Sequence, residues 1–257
     1  MAQRDPAPRR VAQPQKQNSF FGGAAILAAG ILIVKLIGMF YKIPLINIIG
    51  EAGAADFNNA YNIYATLLTI STAGLPVALS KLVSESYALG RTRQAHRTFR
   101  VSLSVFLVLG VASFALMWWG SDLLAGFLNN PRAAYGIRAL APAVVCVGCL
   151  SAFRGYAQGR QYMTPTAVSQ IIEALCKLVL GLALSMWLLH IGQPDYIAAA
   201  GAIAGVTAGT ILSLVYMAID YLRHRPALRR GESCASDRAI LRRLLALAIP
   251  ITLSSSM

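Results

Sequence analysis

Long apolar runs dominate this sequence and limit what it can fold into. A helix that crosses a bilayer needs about 20 mostly apolar residues. Six runs qualify, at roughly 20–48, 58–80, 98–120, 136–155, 165–190 and 197–221. Of the 257 residues, 56% are hydrophobic and only 13% are charged, well below the ~25% typical of a soluble domain. The sequence therefore predicts an all-α, polytopic membrane helical bundle with six complete transmembrane helices.

The segments outside these runs complete the predicted organisation. Residues 1–18 are rich in Pro, Gln and Arg and have no apolar periodicity, so we expect a disordered cytoplasmic tail. Residues 19–222 form the transmembrane lobe, and residues 223–242 form a basic cytoplasmic loop. A further apolar run occupies 243–257. Because backbone groups in hydrocarbon must be paired, we interpret it as the truncated start of a seventh span in a fragment of a longer protein.

Basic residues alternate between the two sides of the predicted bundle. The tail and the loops after spans two, four and six carry eighteen Lys and Arg residues, whereas the three other loops carry two. The positive-inside rule places the side with more basic residues, and with it the N-terminus, in the cytoplasm. This predicts a multi-pass protein of the cytoplasmic membrane. It also explains the net charge of +13 through topology, so membrane lipids rather than nucleic acid are the expected partners.

Two local patterns predict helix geometry. Gly201, Gly205 and Gly209 form a small-xxx-small stripe on the sixth run, which predicts the close approach of another helix. Pro76 lies inside the second run and predicts a kink there.

Three lysines and one acid remain inside the spans after orientation has explained the other charges. They are Lys35, Lys42, Lys177 and Glu173. Such residues are costly in a bilayer and usually face an aqueous cavity or a partner. Glu173 and Lys177 are four residues apart and can pair, either as a structural pair or as part of a cavity wall. We expect Lys35 to line a cavity, whereas Lys42 either does so or extends to the membrane interface.

Two further basic residues end predicted spans. Lys81 follows span two, and Arg154 ends span four. Lys81 either marks a helix end or lines the cavity, and Arg154 either fixes topology or contacts a phosphate group from its cytoplasmic loop. Net positive charge in a membrane cavity suits an anionic substrate, and phosphate is the commonest biological one.

Catalytic and metal-binding patterns are missing from the sequence. It contains no G-x-x-x-x-G-K-[ST], no H-E-x-x-H and no nucleophile elbow, so an enzyme is not predicted. Cys146 and Cys149 form a C-x-x-C, but they lie in an apolar segment with no further Cys or His nearby. This context favours helix packing over a metal site. We expect no metal and no cofactor.

Three segments carry a resemblance to a known family. They are FFGGAAILAAGILIVKLIGMFYKIPL at 20–45, STAGLPVALSKLVSE at 71–85 and FRGYAQGRQYMTPTAVSQIIE at 153–173. The sequence resembles the stage V sporulation protein B and polysaccharide-transport branch of the multidrug/oligosaccharidyl-lipid/polysaccharide (MOP) exporter superfamily, to which the lipid II flippases are related. The resemblance implies one lobe of a two-lobe transporter that rocks around a positively charged central cavity, with the C-terminal lobe of the same protein missing here.

The resemblance also implies roles for individual residues. Lys35 falls where the lipid II flippases carry a cavity arginine, Lys42 falls close to a second one, and Lys81 falls at the basic position that ends span two. Asp56 falls at an acidic position that opens span two. These lysines are the expected headgroup ligands, and Asp56, Glu173 and Lys177 are candidate gating or coupling residues.

The favoured interpretation is thus a flippase, acting by alternating access, for undecaprenyl-pyrophosphate-linked oligosaccharide or a peptidoglycan precursor in cell-wall or spore assembly. A cation-coupled multidrug exporter of the same superfamily is the alternative, and it requires acidic residues deep in the spans. A non-transporting membrane scaffold for cell-wall or spore-coat assembly is a second alternative, for which the lysines inside the spans are dispensable.

Overall fold

The computed structural model describes residues 17–72, 74–224 and 235–255, and α-helices account for nearly all of them. In chain order the helices are α1 Gln17–Thr72, α2 Leu75–Ala88, α3 Thr92–Trp119, α4 Ser121–Phe127, α5 Ala133–Gly159, α6 Thr164–His190, α7 Asp195–Arg223 and α8 Asp237–Ser255. No strand occurs within these ranges, which agrees with the all-α prediction. Residues 1–16 of the predicted tail lie outside the described residues.

Gly50 reverses the direction of α1. Its φ of 70° and ψ of 178° are not helical, and glycine adopts such angles far more readily than other residues. The Lys177 ammonium lies 4.9 Å from the ring centroid of Tyr41 and 4.8 Å from that of Tyr61. A straight helix would separate Tyr41 and Tyr61 by about 30 Å, at 1.5 Å per residue. The two arms of α1 therefore fold back on each other.

Five helices in the described part of the chain are long and apolar enough to cross a membrane. They are residues Gly22–Thr69 of α1, and α3, α5, α6 and α7. Because α1 folds back at Gly50, each of its two arms can make one crossing of about 20 residues or more. Counted in this way, the bundle has the six crossings that the apolar runs predict.

The second crossing differs from the predicted span 58–80. α1 ends at Thr72, and a new helix begins at Leu75 with Pro76 in its first turn. Proline has no amide hydrogen, so it fits the start of a helix better than its interior. The kink predicted at Pro76 is instead a break between two helices.

The glycine stripe on α7 packs against α6, as predicted. A Cβ atom on Gly205 would overlap the backbone of Gly181 on α6. A Cβ atom on Gly209 would lie 2.8 Å from the carbonyl oxygen of Glu173. The two backbones are thus in direct contact along this crossing, as is usual where small residues meet in membrane helices.

Helix α5 contacts α1, α2, α3, α4, α6 and α7 and so occupies the centre of the bundle. Its Gly155 and Gly159 face α2, where added Cβ atoms would lie 2.8 Å and 2.7 Å from the carbonyl oxygens of Pro76 and Ser80. The α5–α2 crossing joins two of the segments on which the family resemblance rests.

The connections sort into two groups at opposite ends of the bundle. At one end, Asp56 accepts a hydrogen bond from Asn130, and the rings of Tyr135 and Tyr196 lie 5.3 Å apart. At the other end, Arg160 donates to the carbonyl oxygen of His224 at 3.2 Å. The connections after the first, third and fifth crossings therefore share one end. The connections after the fourth and sixth crossings share the other end, as an alternating topology requires.

Helix α8 begins inside the segment predicted as a basic loop. Asp237 is its first residue, six positions before the predicted start of a seventh span. The Arg97 guanidinium donates a hydrogen bond to the Asp237 carboxylate at 2.7 Å, which lowers the pKa of that carboxyl. Ile240, Leu244 and Ala248 are buried, and α8 contacts α2 and α3. The described end of the chain thus packs on the bundle.

The first arm of α1 leaves large apolar side chains uncovered. Leu32, Phe40 and Ile43 are each more than 60% exposed. An apolar surface this continuous is typical of contact with lipid or with another protein.

The α6–α7 crossing generates a stability prediction. We expect Gly205→Ala to lower the stability of the detergent-solubilised protein by about 1–3 kcal/mol, because the added methyl group overpacks the contact with Gly181. Gly126→Ala on α4 is the matched control, since no atom lies within 4 Å of its added Cβ. Thermal unfolding measures both, and equal melting temperatures for the two variants would contradict the assigned crossing.

Candidate functional site

Two adjoining cavities lie between the arms of α1 and helix α6. The Lys35 cavity has a volume of about 390 Å³ and is lined by residues that include Lys35, Glu173 and Gln170. The Lys42 cavity has a volume of about 180 Å³ and is lined by residues that include Lys42 and Asn58. Gly38, Tyr41, Tyr61 and Lys177 line both cavities. The two cavities therefore meet at Lys177.

The lysines of this site share one side of the bundle. Lys35 and Lys42 are seven residues apart, about two helical turns, so they lie on one face of the first arm of α1. Both side chains are exposed. Among the described residues, neither they nor Lys177 form an ion pair with an acid within 4.0 Å. The cavities thus carry three cations that the described part of the chain does not neutralise.

Aromatic rings enclose the Lys177 ammonium. It lies 4.9 Å from the ring centroid of Tyr41, 4.8 Å from that of Tyr61 and 5.9 Å from that of Phe57. Tyr41 and Phe57 are buried, and the Tyr61 ring stacks on Phe57. The negative faces of such rings attract a cation. This cage surrounds the ammonium inside the bundle, and no carboxylate of the described residues lies within 4.0 Å of it.

Glu173 binds Arg154 instead of Lys177. Arg154 Nη2 lies 3.0 Å from Glu173 Oε2, and Arg154 Nε donates to Ser169 Oγ at 2.9 Å. Ser169 and Glu173 are one turn apart on α6, so the planar guanidinium of Arg154 bridges them from α5. The ion pair that the spacing of Glu173 and Lys177 suggested is not formed in the described structure.

Ser169 and Glu173 are themselves held in place by α7. Ser169 Oγ donates to the carbonyl oxygen of Thr166 at 2.8 Å, which leaves its lone pairs for Arg154. Ser213 on α7 donates to the carbonyl oxygen of Ser169 at 2.7 Å. Gly209 brings α7 against the turn that carries Glu173. Three helices therefore fix the geometry of the Arg154–Glu173 pair.

Asp56 lies apart from the lysines, near the reversal of α1. The residue is 8% exposed, and its carboxylate accepts a hydrogen bond from Asn130 Nδ2 at 2.6 Å. This contact joins the second arm of α1 to the connection between α4 and α5.

Two predicted site residues have settings that differ from the expectation. Lys81 is exposed on α2 and lines neither the Lys35 nor the Lys42 cavity. Arg154 was expected in a cytoplasmic loop, but α5 continues to Gly159, so Arg154 lies inside the helix. Its proximity to a phosphate group stays a prediction.

Sequence reasoning missed the aromatic cage and the serine that orients Arg154. Phe57, Tyr61 and Tyr64 recur at helical spacing, and this stripe was the available signal for the cage. Ser169 gave no comparable signal, because its role depends on how α5 crosses α6. In the described ranges, no three His, Cys, Asp or Glu side chains are grouped to hold a metal ion, and Cys146 and Cys149 are free thiols.

The sequence profile described as "Polysaccharide biosynthesis protein" matches residues 20–257. The chain belongs to this family. The match includes every residue of the two cavities and the whole of α2 to α8. The resemblance noted from the sequence is therefore confirmed, and the chain is a multi-pass membrane protein.

Two relatives from Bacillus subtilis illustrate the family. The lipid II flippase MurJ is 31% identical over 76% of this chain and 38% of its own length. Stage V sporulation protein B is 28% identical over 92% of this chain and 46% of its own length. The chain spans less than half the length of the curated relatives it matches.

Solved structures agree on the fold. An outward-facing multidrug resistance MATE family transporter of the MOP superfamily superposes with a TM-score of 0.72 at 16% identity, covering 90% of this chain and 52% of that one. At this identity the likeness establishes the MOP fold alone. The fold is shared with drug exporters, so the choice between substrates depends on the chemistry of the cavity.

The buried Asp56–Asn130 contact generates a second prediction. Asp56→Ala should lower stability by about 1–3 kcal/mol, because it leaves the Asn130 amide without its acceptor in a partly buried setting. Asp56→Asn keeps an acceptor oxygen and should lower the stability less than Asp56→Ala does. Melting temperatures of Asp56→Ala, Asn130→Ala and the double variant test the pair. Additive losses in the double variant would show that the two side chains do not stabilise each other.

Proposed function

We propose that the chain forms the N-terminal lobe of a transporter that moves a lipid-linked glycan with an anionic headgroup across the cytoplasmic membrane. The substrate class is an undecaprenyl-pyrophosphate-linked oligosaccharide or peptidoglycan precursor. The observation that carries the proposal is the group of three lysines around the two cavities, none of which is neutralised by a described acid. An uncompensated positive charge inside a bilayer is costly and is retained where it serves an anionic ligand.

The names of the relatives support the same substrate class. One is described as a lipid II flippase, and the family profile is described as a polysaccharide biosynthesis protein. The chain spans under half of these relatives, so the activity of the whole protein is part of the proposal. We infer that a second lobe closes the cavities from the side on which Lys35 and Lys42 are exposed.

The proposed mechanism is alternating access. The diphosphate engages Lys35 and Lys42, while the lipid tail stays in the bilayer between the lobes. Lys81 is included on the family resemblance alone. Rocking of the lobes then exposes the headgroup to the other side of the membrane, as in other transporters built from two halves. The membrane potential acting on the charged site, or a coupled ion, supplies the driving force.

The multidrug-exporter alternative fits the cavity less well. It requires an ionised acid that is open to a coupling cation or a cationic drug. Glu173 is the only acid deep in a span, and its carboxylate is bound to Arg154. A scaffold without transport activity is the other alternative, and it makes the three lysines unnecessary.

We also propose that the end of the bundle that holds Arg160 and Arg97 is cytoplasmic. Both residues lie at the end of the bundle that holds most of the Arg side chains of the described residues. At the opposite end the basic residues are Arg132 and Arg138, and Arg138 is paired with Asp122 at 2.7 Å. The positive-inside rule favours this orientation and a cytoplasmic N-terminus.

A complementation experiment tests the proposed function. The full-length protein should restore growth to cells depleted of their own lipid II flippase. Lys35→Ala should reduce the rescue strongly, and Lys81→Ala should do so if it also contacts the headgroup, because each removes a charge-assisted contact worth about 1.5–3 kcal/mol. Growth rate and accumulation of lipid-linked precursor are the measurements.

Arg223→Gln is the matched control for charge, since it removes one exposed cation at the end of α7, far from the cavities. It should rescue as the wild type does. Residues 1–257 alone should not rescue, because one lobe lines the cavities from one side only. Rescue by the full-length protein that is indifferent to Lys35→Ala and Lys81→Ala would remove the assigned lysine roles and favour a scaffold.

Reporter fusions test the orientation. Alkaline phosphatase is active only outside the cytoplasm, so a fusion after Gln193 in the connection between α6 and α7 should be active. A fusion after His224 at the end of α7 should be inactive. The reverse pattern would invert the proposed topology.

A further inference from the structure

Lys177 has the setting of a ligand-binding residue. It is the one lysine that lines both cavities, between Lys35 and Lys42. Its ammonium contacts aromatic faces, which attract a cation but do not replace the full hydrogen bonds that an N–H group makes to oxygen. Its three N–H donors are therefore available to an anion that enters the site.

The free N–H donors of Lys177 are unexpected, because an acid lies close to it on the same helix. Glu173 lies one turn before Lys177 on α6, in the orientation that favours an ion pair between the two. Such a pair would fill the site with an internal carboxylate and compete with any anionic ligand. The structure avoids it because Arg154 holds Glu173 from α5 and is itself oriented by Ser169.

We propose that Lys177 is the central headgroup-binding residue of this site, and that Arg154 is a positioning residue that keeps Lys177 free by holding the Glu173 carboxylate. The ligand class, a diphosphate group on a lipid, rests on the proposed function. The proposal replaces a direct phosphate contact for Arg154. Two of its five N–H donors, on Nε and Nη2, are engaged by Ser169 and Glu173.

The pair with Arg154 accounts for the presence of an acid, Glu173, in a cavity that binds an anion. Replacing Glu173 by a neutral residue would leave Arg154 as a further unpaired cation beside the cage. With Glu173 present, Arg154 and Glu173 cancel, and the charge left at the junction of the cavities is that of Lys177. The headgroup then meets a row of cations at Lys35, Lys177 and Lys42 instead of a mixed cluster.

Binding of undecaprenyl pyrophosphate to the full-length protein in detergent tests the proposal, with native mass spectrometry as the measurement. Lys177→Met should weaken binding about tenfold or more. Lys177→Arg keeps the charge, so its binding affinity should fall less. Methionine is unbranched and apolar, so it fills the caged position without a buried charge and should preserve the fold. Arg223→Gln should bind as the wild type does.

A single and a double variant test the positioning role of Arg154 separately. Arg154→Gln should weaken binding about as much as Lys177→Met, because the released Glu173 then pairs with Lys177. The double variant Arg154→Gln/Glu173→Gln should restore binding to within about threefold of the wild type, a difference below 1 kcal/mol. Recovery on removing a second side chain is not expected if Arg154 contacts the phosphate. An unchanged melting temperature of Arg154→Gln would distinguish the positioning role from support of the fold, since loss of a structural ion pair lowers it.

The outcomes separate this inference from the proposed function. If the wild-type protein binds no undecaprenyl pyrophosphate, the proposed substrate class fails. If the wild type binds and Lys177→Met binds equally well, Lys177 is not a ligand and the proposed function stands. If Arg154→Gln weakens binding and the double variant does not recover, the positioning role is wrong. Should Arg154→Gln not fold, weaker binding by Glu173→Gln would overturn the proposal, since the proposal gives the Glu173 carboxylate no contact with the ligand.

Discussion

The close crossing of α6 and α7 fixes the turn of α6 that carries Glu173 in the candidate site. Gly205 allows the two backbones to touch at Gly181, and Gly209 places α7 against the carbonyl of Glu173. In a bilayer there is no hydrophobic force between helices, so such packing and a few interhelical hydrogen bonds must hold them together. The Ser213 hydroxyl adds one of those bonds, to the same turn of α6. The turn that presents Ser169 and Glu173 to Arg154 is therefore rigid before any ligand is considered.

The reversal at Gly50 supplies the other wall of the site. It brings Tyr41 on the first arm of α1 and Tyr61 on the second arm to the same lysine. A lysine inside a membrane bundle needs either a counter-charge or a polarisable surface, and here it receives ring faces. A carboxylate in contact with the ammonium would have neutralised the site, whereas ring faces attract the ammonium without adding a negative charge. The backbone conformation of one glycine thus has an electrostatic consequence.

The sequence predicted the crossings well and the pairing of charges poorly. The length of an apolar run reflects the thickness of the bilayer, so five of the six predicted spans agree with helices of the structure to within six residues at either end. The exception at 58–80 arose because a run of apolar residues does not show where Pro76 starts a new helix. The partner of Glu173 was missed for a different reason. Lys177 is its neighbour along the chain, but Arg154 is its neighbour across the α5–α6 contact, and hydropathy contains no information on the register of two helices.

Basic residues at the end of the bundle and basic residues beside the cavities have different explanations. Most of the described Lys and Arg residues lie at one end of the bundle, where the proposed orientation explains them without a ligand. Beside the cavities the composition changes: lysines line them, and Arg154 is engaged with an acid. Arg binds a carboxylate through a planar fork and is not readily displaced, whereas a lysine ammonium is a compact donor that can turn towards a ligand. The proposed binding of a diphosphate and its release on the other side of the membrane would be served by this division, with arginine for the fixed pair and lysine for the ligand. A drug exporter would instead need Glu173 open to a cation, and the same arginine closes that route.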